Sequence, residues 1–278
     1  MSIAQQIVSP VPTFRARLFS HPVVRIVLGV VAVMLPMMLT LMLSEIVPKP
    51  ERVVWPFLLA ATMSLAGYRL FTQRLEKREG TELASAGATR EAARGVAIGA
   101  ALGLGVAGVL AAAGAFIVTG SSADWTFLLK SLPEQIMVAC FEELLFRAVL
   151  FRIVEQRWGT RTALVVSFLA FALAHMQNEH VSVLAILITG VAGLTLSACY
   201  LQTRRIWLSI GVHFGWNFLY DGFFSVPVSG HAARGWLQVS LPGPEWLTGG
   251  AYGVEGSVVT LVLWSAAAVF LLRRAASR

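Results

Sequence analysis

Charged residues are scarce in this chain. Lys, Arg, Asp and Glu make up only 13% of its 278 residues, whereas 56% are hydrophobic, and the mean hydropathy is +0.71. These values lie well outside the averages of soluble globular domains. The composition therefore excludes an ordinary soluble domain and predicts a polytopic, all-α membrane protein.

Cysteine is also rare, and one common zinc-protease motif is missing. The two cysteines, Cys140 and Cys199, both lie inside apolar segments, so they supply neither a disulfide framework nor a Cys-x-x-Cys metal site. No His-Glu-x-x-His sequence is present, which removes the usual zinc site carried by a single helix.

The net charge of +7 is not gathered on a polar domain. The basic residues fall at the ends of apolar segments, which is typical of topology signals and not of nucleic-acid binding. With a cytoplasmic N-terminus, only Lys49, Arg52, Lys130 and Arg234 lie on the outer face. We therefore expect no nucleic-acid partner, and we expect an integral protein of a bacterial plasma membrane with both termini in the cytoplasm.

Eight apolar segments are long enough to cross a bilayer. They lie at about residues 23–46, 53–71, 95–119, 132–156, 162–178, 181–202, 206–226 and 256–272. The even number agrees with termini on the same side. We interpret residues 1–22 as a cytoplasmic tail, and residues 23–278 as a single transmembrane helical domain.

The connections give three further expectations. Residues 71–94 mix both charge signs and are expected to form a solvated cytoplasmic linker. Residues 222–255 are rich in proline and glycine and should form an irregular outer loop. The glycines repeated at fourfold spacing in the third segment, among them Gly95, Gly99 and Gly103, predict close packing between helices.

The fourth segment carries two acids and an arginine at Glu142, Glu143 and Arg147. Each such group costs about 2.5–3.5 kcal/mol in the middle of an inserted helix, so these side chains need polar or charged partners. Glu143 and Arg147 are four residues apart with the acid first, which favours an ion pair on one helix face. Glu142 points about 100° away and is left as a free carboxylate, a candidate general base or acid. A purely structural polar cluster is the alternative interpretation.

Two further segments carry histidine. His175 ends the fifth segment, and His213 lies one turn before Asn217 in the seventh, so those two side chains share a helix face. Either histidine alone would be interpreted as a hydrogen-bonding group between helices. Together with Glu142 they predict a polar site built from three helices inside the bilayer.

The pattern Glu-Glu-x-x-x-Arg, then Phe-x-x-x-His from Phe171 to His175, then His-x-x-x-Asn from His213 to Asn217, resembles the CPBP family. That family includes type II CAAX prenyl endopeptidases, bacteriocin-processing proteins and lysostaphin-resistance-like proteins. The resemblance covers about residues 130–225, which would form the protease core.

The resemblance implies an intramembrane glutamic endopeptidase. Glu142, oriented by His175, would take a proton from water, and His213 with Asn217 would donate to the developing oxyanion. Glu143 and Arg147 would support the site. No cofactor is implied in this mechanism. Its substrate would be a membrane-anchored protein or peptide, and its surroundings the lipid bilayer.

Three alternatives remain open at this stage. In a zinc-dependent version of the protease, Glu142, His175 and His213 would be metal ligands around a bound water. A non-proteolytic scaffold could keep a protease-like core to bind a membrane partner. A transporter could relay protons through the buried acids and histidines, although no similarity between the two halves of the chain supports it.

Overall fold

A computed structural model describes residues 20–277, and this part of the chain is mostly helical. The long helices are α1 (Pro22–Ser44), α2 (Trp55–Leu70), α3 (Ala88–Ala112), α4 (Thr126–Glu143), α5 (Arg152–Ala174), α6 (Val183–Thr203), α7 (Trp207–Phe218) and, after the short α8 (Glu245–Thr248), α9 (Val258–Ala276). Three π-helical segments extend α2, α4 and α7, at Phe71–Leu75, Leu144–Phe151 and Leu219–Phe223. The predicted tail, residues 1–22, lies outside the described residues except for its last three.

Each of the eight predicted segments corresponds to helix over most of its length. Helix α4 continues through its π-helical segment into α5 until Gly159, whose positive φ of 82° kinks the chain and separates the fourth segment from the fifth. Within residues 20–277, four helices are long and apolar enough to cross a membrane by themselves: Pro22–Ser44, Ala88–Ala112, Val183–Thr203 and Val258–Ala276. A count of eight membrane spans therefore stays a prediction.

A small β-sheet departs from the all-α expectation. Strand β1 (Ile117–Ser121) pairs antiparallel with β2 (Leu237–Ser240), so that Ile117 faces Ser240. The third apolar segment, predicted at about residues 95–119, corresponds to a helix that begins at Ala88 and ends at Ala112. The chain turns at Gly114, whose φ is 72°. Residues after that turn continue the apolar run, but isoleucine and valine suit a strand as well as a helix.

The linker expected between residues 71 and 94 is not simply solvated. Glu82 is 4% exposed, and the side chain of Glu76 is also only 4% exposed. Both acids are buried against arginines of α1 and α5 and of their own segment. The expectation fails for these two acids, because their burial depends on arginine partners that include residues far away in sequence.

Helix α7 is held directly against α3 by small residues. A methyl group on Gly99 would lie 2.1 Å from the carbonyl oxygen of Val212, and one on Gly211 would lie 2.2 Å from that of Ala92. Neither position tolerates a side chain larger than hydrogen, so the backbones touch as the glycine spacing predicts. This contact fixes the helix that carries His213 and Asn217.

Candidate active site

The paired acids stand at the junction between α4 and its π-helical segment. Glu143 is the last residue of α4, and Arg147 lies within the segment that follows. π-Helical turns are rare and occur often at functional sites, because the extra residue per turn re-aims the side chains around it. The junction thus places a carboxylate and a guanidinium on the inner face of one continuous helix.

Arg147 joins three helices at this point. Its Nη1 atom donates to Glu143 Oε1 at 2.9 Å, and both side chains are fully buried. Its Nη2 atom donates to the carbonyl oxygen of Gly193 on α6 at 3.1 Å. The guanidinium also lies 4.7 Å from the centre of the Phe171 ring on α5, a cation–π distance. Removal of either charge would leave its partner buried without compensation.

His213 lies between the two glutamates. Its Nδ1 atom is 3.0 Å from Glu143 Oε1, and its Nε2 atom is 3.9 Å from Glu142 Oε2. An ionised carboxylate only accepts hydrogen bonds, so Nδ1 carries the proton in that contact. Glu143 therefore holds both Arg147 and the imidazole, and Nε2 is directed toward Glu142.

Glu142 is the less constrained of the two acids. Its side chain is 15% exposed, against 0% for Glu143. Within residues 20–277 its buried Oε2 atom has no hydrogen-bond partner. A buried carboxylate oxygen without a donor is uncommon in structural clusters. It is the expected state of an acid that accepts from water or substrate.

His175 is oriented by its own helix end. Its Nδ1 atom is 2.8 Å from the carbonyl oxygen of Phe171. Because a carbonyl can only accept, Nδ1 bears the hydrogen and Nε2 is left as the acceptor. The His175 ring packs 4.8 Å from the Phe171 ring, which is itself 6.3 Å from the His213 ring. Phe171 thus lies beside both histidines.

His175, His213 and Asn217 line one cavity of about 440 Å³, a volume that includes its open mouth. Glu142 approaches His213 but is not one of the described residues that line this cavity. The described residues show no hydrogen bond between Glu142 and His175. The structure therefore brings His175, His213 and Asn217 together at one cavity. Glu142 lies next to His213, whereas the resemblance pairs it with His175.

Sequence reasoning missed a glutamate at this cavity. Glu255, just before α9, lines it together with Ser229 and Trp216. Asn178 donates to the carbonyl oxygen of Ser229 at 2.9 Å. No local spacing connects these residues, because they come from three separate segments. The sequence marks Glu255 only as an isolated acid, flanked by Gly253 and Gly256, ahead of the apolar run that forms α9.

Asp221 continues the polar face of α7, one turn after Asn217. Its Oδ2 atom accepts hydrogen bonds from the hydroxyl of Ser131 and, at 3.0 Å, from the amide of Gln135. Both donors lie on α4. Asp221 therefore ties the extension of α7 to the helix that carries the paired acids.

The zinc alternative requires Glu142, His175 and His213 to meet around one ion. Among residues 20–277, no group of three or more His, Cys, Asp and Glu side chains is placed so that it could hold a metal. These three residues, as arranged, do not form such a ligand set.

The comparisons with known proteins identify a family over part of the chain. The model of the Rce1-like family, described as type II CAAX prenyl endopeptidase Rce1-like, matches residues 124–219. No curated protein and no solved structure matches the chain. The matched range is about a third of the sequence, and it contains Glu142, His175, His213 and Asn217. It indicates an integral membrane protease of the CAAX type. The match over residues 124–219 is consistent with the CPBP family that the three motifs resemble.

Proposed function

We propose that the protein is an intramembrane endopeptidase that hydrolyses a peptide bond through water activated by Glu142. The observation that carries this proposal is the position of His213 between two carboxylates, with 3.0 Å to Glu143 and 3.9 Å to Glu142. Glu143 is held by Arg147 and His213 through its Oε1 atom, whereas Glu142 is partly exposed and its Oε2 atom has no hydrogen-bond partner within residues 20–277. A base and an oriented imidazole in one place are what hydrolysis by activated water requires.

In the proposed reaction, Glu142 takes a proton from water as the water oxygen attacks the scissile carbonyl carbon. The carbonyl oxygen gains negative charge, which the side-chain amide of Asn217 stabilises by donation. When the carbon–nitrogen bond breaks, Glu142 returns the proton to the leaving amine. The products are a carboxylic acid and an amine, which then ionise to a carboxylate and an ammonium, so atoms and protons balance.

The two histidines would assist different parts of the reaction, His213 at the oxyanion and His175 at the attacking water. His213 donates from Nδ1 to Glu143, so its Nε2 atom can donate toward the oxyanion only as the imidazolium. The adjacent carboxylates Glu142 and Glu143 are the groups that would stabilise that charge. His175, whose Nδ1 proton is held by Phe171, presents Nε2 as an acceptor for the attacking water.

Comparative proteomics of membrane fractions tests this function. Cells carrying Glu142→Gln should accumulate an uncleaved membrane-anchored precursor that wild-type cells process. Glu134→Gln is the matched control, because Glu134 lies on the same helix but borders a different cleft, near Lys130 and Asp221. It should process the precursor normally. Identical membrane proteomes for Glu142→Gln and wild type would contradict the protease and favour a scaffold.

A further inference from the structure

Glu255 carries three hydrogen bonds that connect two walls of the cavity. Its Oε1 atom accepts from the indole Nε1 of Trp216 at 2.8 Å. Its Oε2 atom accepts from the hydroxyl of Ser229 at 2.7 Å and from the backbone N–H of the same residue. All three residues line the cavity that His175, His213 and Asn217 also line.

The first wall is the end of α7. Trp216 directly precedes Asn217 and lies three residues after His213. Its side chain is 2% exposed and packs edge-on against Trp264 of α9, with ring centres 5.0 Å apart. The bond to Glu255 satisfies the only polar atom of this indole. It therefore fixes the rotation of the helix turn that presents His213 and Asn217.

The second wall is the turn from Val228 to His231, which we call the Ser229 turn. Ser229 has φ at 50° and Gly230 has φ at 81°, the left-handed region that is costly for serine. A methyl group on Gly230 would lie 2.1 Å from the carbonyl oxygen of Glu179, so the turn rests on the chain that follows His175. Such a backbone conformation persists only where surrounding contacts hold it.

Several hydrogen bonds hold the Ser229 turn, and among those described here only the ones that Glu255 accepts involve a charged group. The amide of Asn178 donates to the Ser229 carbonyl, and the N–H of Gly230 donates to the carbonyl of Tyr252 at 3.0 Å. No described Lys or Arg forms a salt bridge with Glu255. Its charge is stabilised by neutral donors alone, so the carboxylate constrains both walls strongly.

We propose that Glu255 is a positioning residue of the active site: through Trp216 it sets the turn that carries His213 and Asn217, and through Ser229 it closes the cavity over His175. This inference rests on the proposed function for its catalytic consequence, and its structural part is measurable without any substrate. Glu255 lies outside residues 124–219, the range that matches the family.

Glu255→Gln is the sharpest substitution. The glutamine oxygen can accept from Trp216 or from Ser229 but not from both, because the other position becomes an amide NH₂. Shape is retained and one wall is released. Glu245→Gln is the matched control, since Glu245 lies in the same loop, is exposed, and does not line the cavity.

The substrate-independent measurement is amide hydrogen exchange of the purified full chain in detergent. Glu255→Gln should accelerate exchange at least severalfold in peptides covering residues 213–217 or 226–232, with exchange in α1 and α2 unchanged. Glu245→Gln should match wild type throughout. Unchanged exchange in both regions would overturn the proposal, and so would a uniform acceleration over the whole chain, which indicates general destabilisation.

The catalytic measurement uses the precursor identified with Glu142→Gln. Misplacement of catalytic groups by about 1 Å can cost about 100-fold in rate, so kcat of Glu255→Gln should fall about 10- to 100-fold with KM changed less than about threefold. Trp216→Phe should lower kcat less, because it removes only the bond from the indole to Glu255 and leaves both bonds from Ser229. Full kcat in Glu255→Gln would overturn the catalytic role. A precursor that never appears contradicts the protease itself, and the exchange result then decides the structural part alone.

Discussion

Two buried clusters of charge differ in how completely their groups are paired. The first, here called the arginine cluster, consists of Arg25, Glu76, Arg78, Glu82 and Arg152 and lies where residues 71–83 meet α1 and α5. The second is the active-site cluster of Glu142, Glu143, Arg147 and His213. Each is built from charges within or beside apolar segments, yet only the second keeps the unpaired acceptors that the proposed reaction requires.

In the arginine cluster, every carboxylate oxygen has a donor. Glu76 accepts from Arg25, Arg78 and Arg152. Glu82 accepts from Arg78 on both oxygens and from the hydroxyl of Tyr68. Carboxylates paired in this way fix the arrangement of helices but leave no acceptor for a substrate.

In the active-site cluster, acceptors are left over. One oxygen each of Glu142 and Glu143 has no hydrogen-bond partner among the described residues. The Nε2 atom of His213 lies 3.9 Å from Glu142 Oε2, too far for a hydrogen bond. Leaving buried carboxylate oxygens unpaired costs stability. Unpaired acceptors are what the proposed reaction requires of this cluster, and the arginine cluster offers none.

The largest expected effect is the loss of catalysis in Glu142→Gln. The amide keeps the shape of the side chain but cannot take a proton, so turnover should fall by at least about 10²- to 10⁴-fold. Stability should be nearly unchanged, because Glu142 makes no ion pair with Arg or Lys among the described residues. Cleavage assays and thermal melting in detergent measure both quantities. A large drop in melting temperature would show that Glu142 supports the structure.

Glu143→Ala should give the opposite pattern. It strands Arg147, which is 0% exposed, and removing one partner of a buried pair costs about 3–5 kcal/mol. The melting temperature should fall sharply, and the His213 ring loses its anchor. Glu143→Leu combined with Arg147→Met is the control, since it removes both charges and should recover part of the stability. If Glu143→Ala melts like wild type, the roles of the two acids are exchanged.

Glu76→Gln tests the arginine cluster in the same way. Hydrogen bonds to charged groups contribute about 1.5–3 kcal/mol each, and Glu82 still compensates part of the charge, so we expect a loss of about that size. Activity of the folded protein should be unaffected, because the cluster leaves no acceptor free. Melting curves and kcat of the same preparation decide the point. A fall in kcat without a fall in stability would show that the clusters are coupled.

The local part of the site was predictable, and the assembled part was not. The four-residue spacing of Glu143 and Arg147 sets their contact, because a helix or π turn brings such positions together. The contact between Glu143 and His213 spans 70 residues and depends on glycines that let α7 touch α3. Glu255 reaches the cavity through a loop whose course no periodicity predicts. Strand β1 was missed because its residues continue an apolar run.

A smaller effect is expected from pH, acting through Glu76. Burial tends to raise the pKa of this carboxyl, but Arg152, Arg25 and Arg78 outweigh burial and hold the pKa below its ordinary value. The folded chain therefore keeps Glu76 ionised below pH about 4.3, where the unfolded chain protonates it. Its contribution is full above that pH and is lost as pH falls through the folded pKa. Between about pH 5 and 3, the melting temperature should fall more steeply in wild type than in Glu76→Gln. Parallel pH profiles would contradict this assignment.

The smallest expected effect is that of a chelator on cleavage. In the proposed reaction Glu142 is the base and Asn217 and His213 are donors, and among the described residues no three metal-binding side chains lie together. If Glu142 activates water directly, prolonged incubation with a strong chelator should change kcat by less than about twofold. A zinc enzyme would instead lose activation of its bound water when the ion is removed. Glu142→Gln serves as the zero-activity reference in this assay, and activity lost to the chelator but restored by added zinc would establish the metal-dependent mechanism.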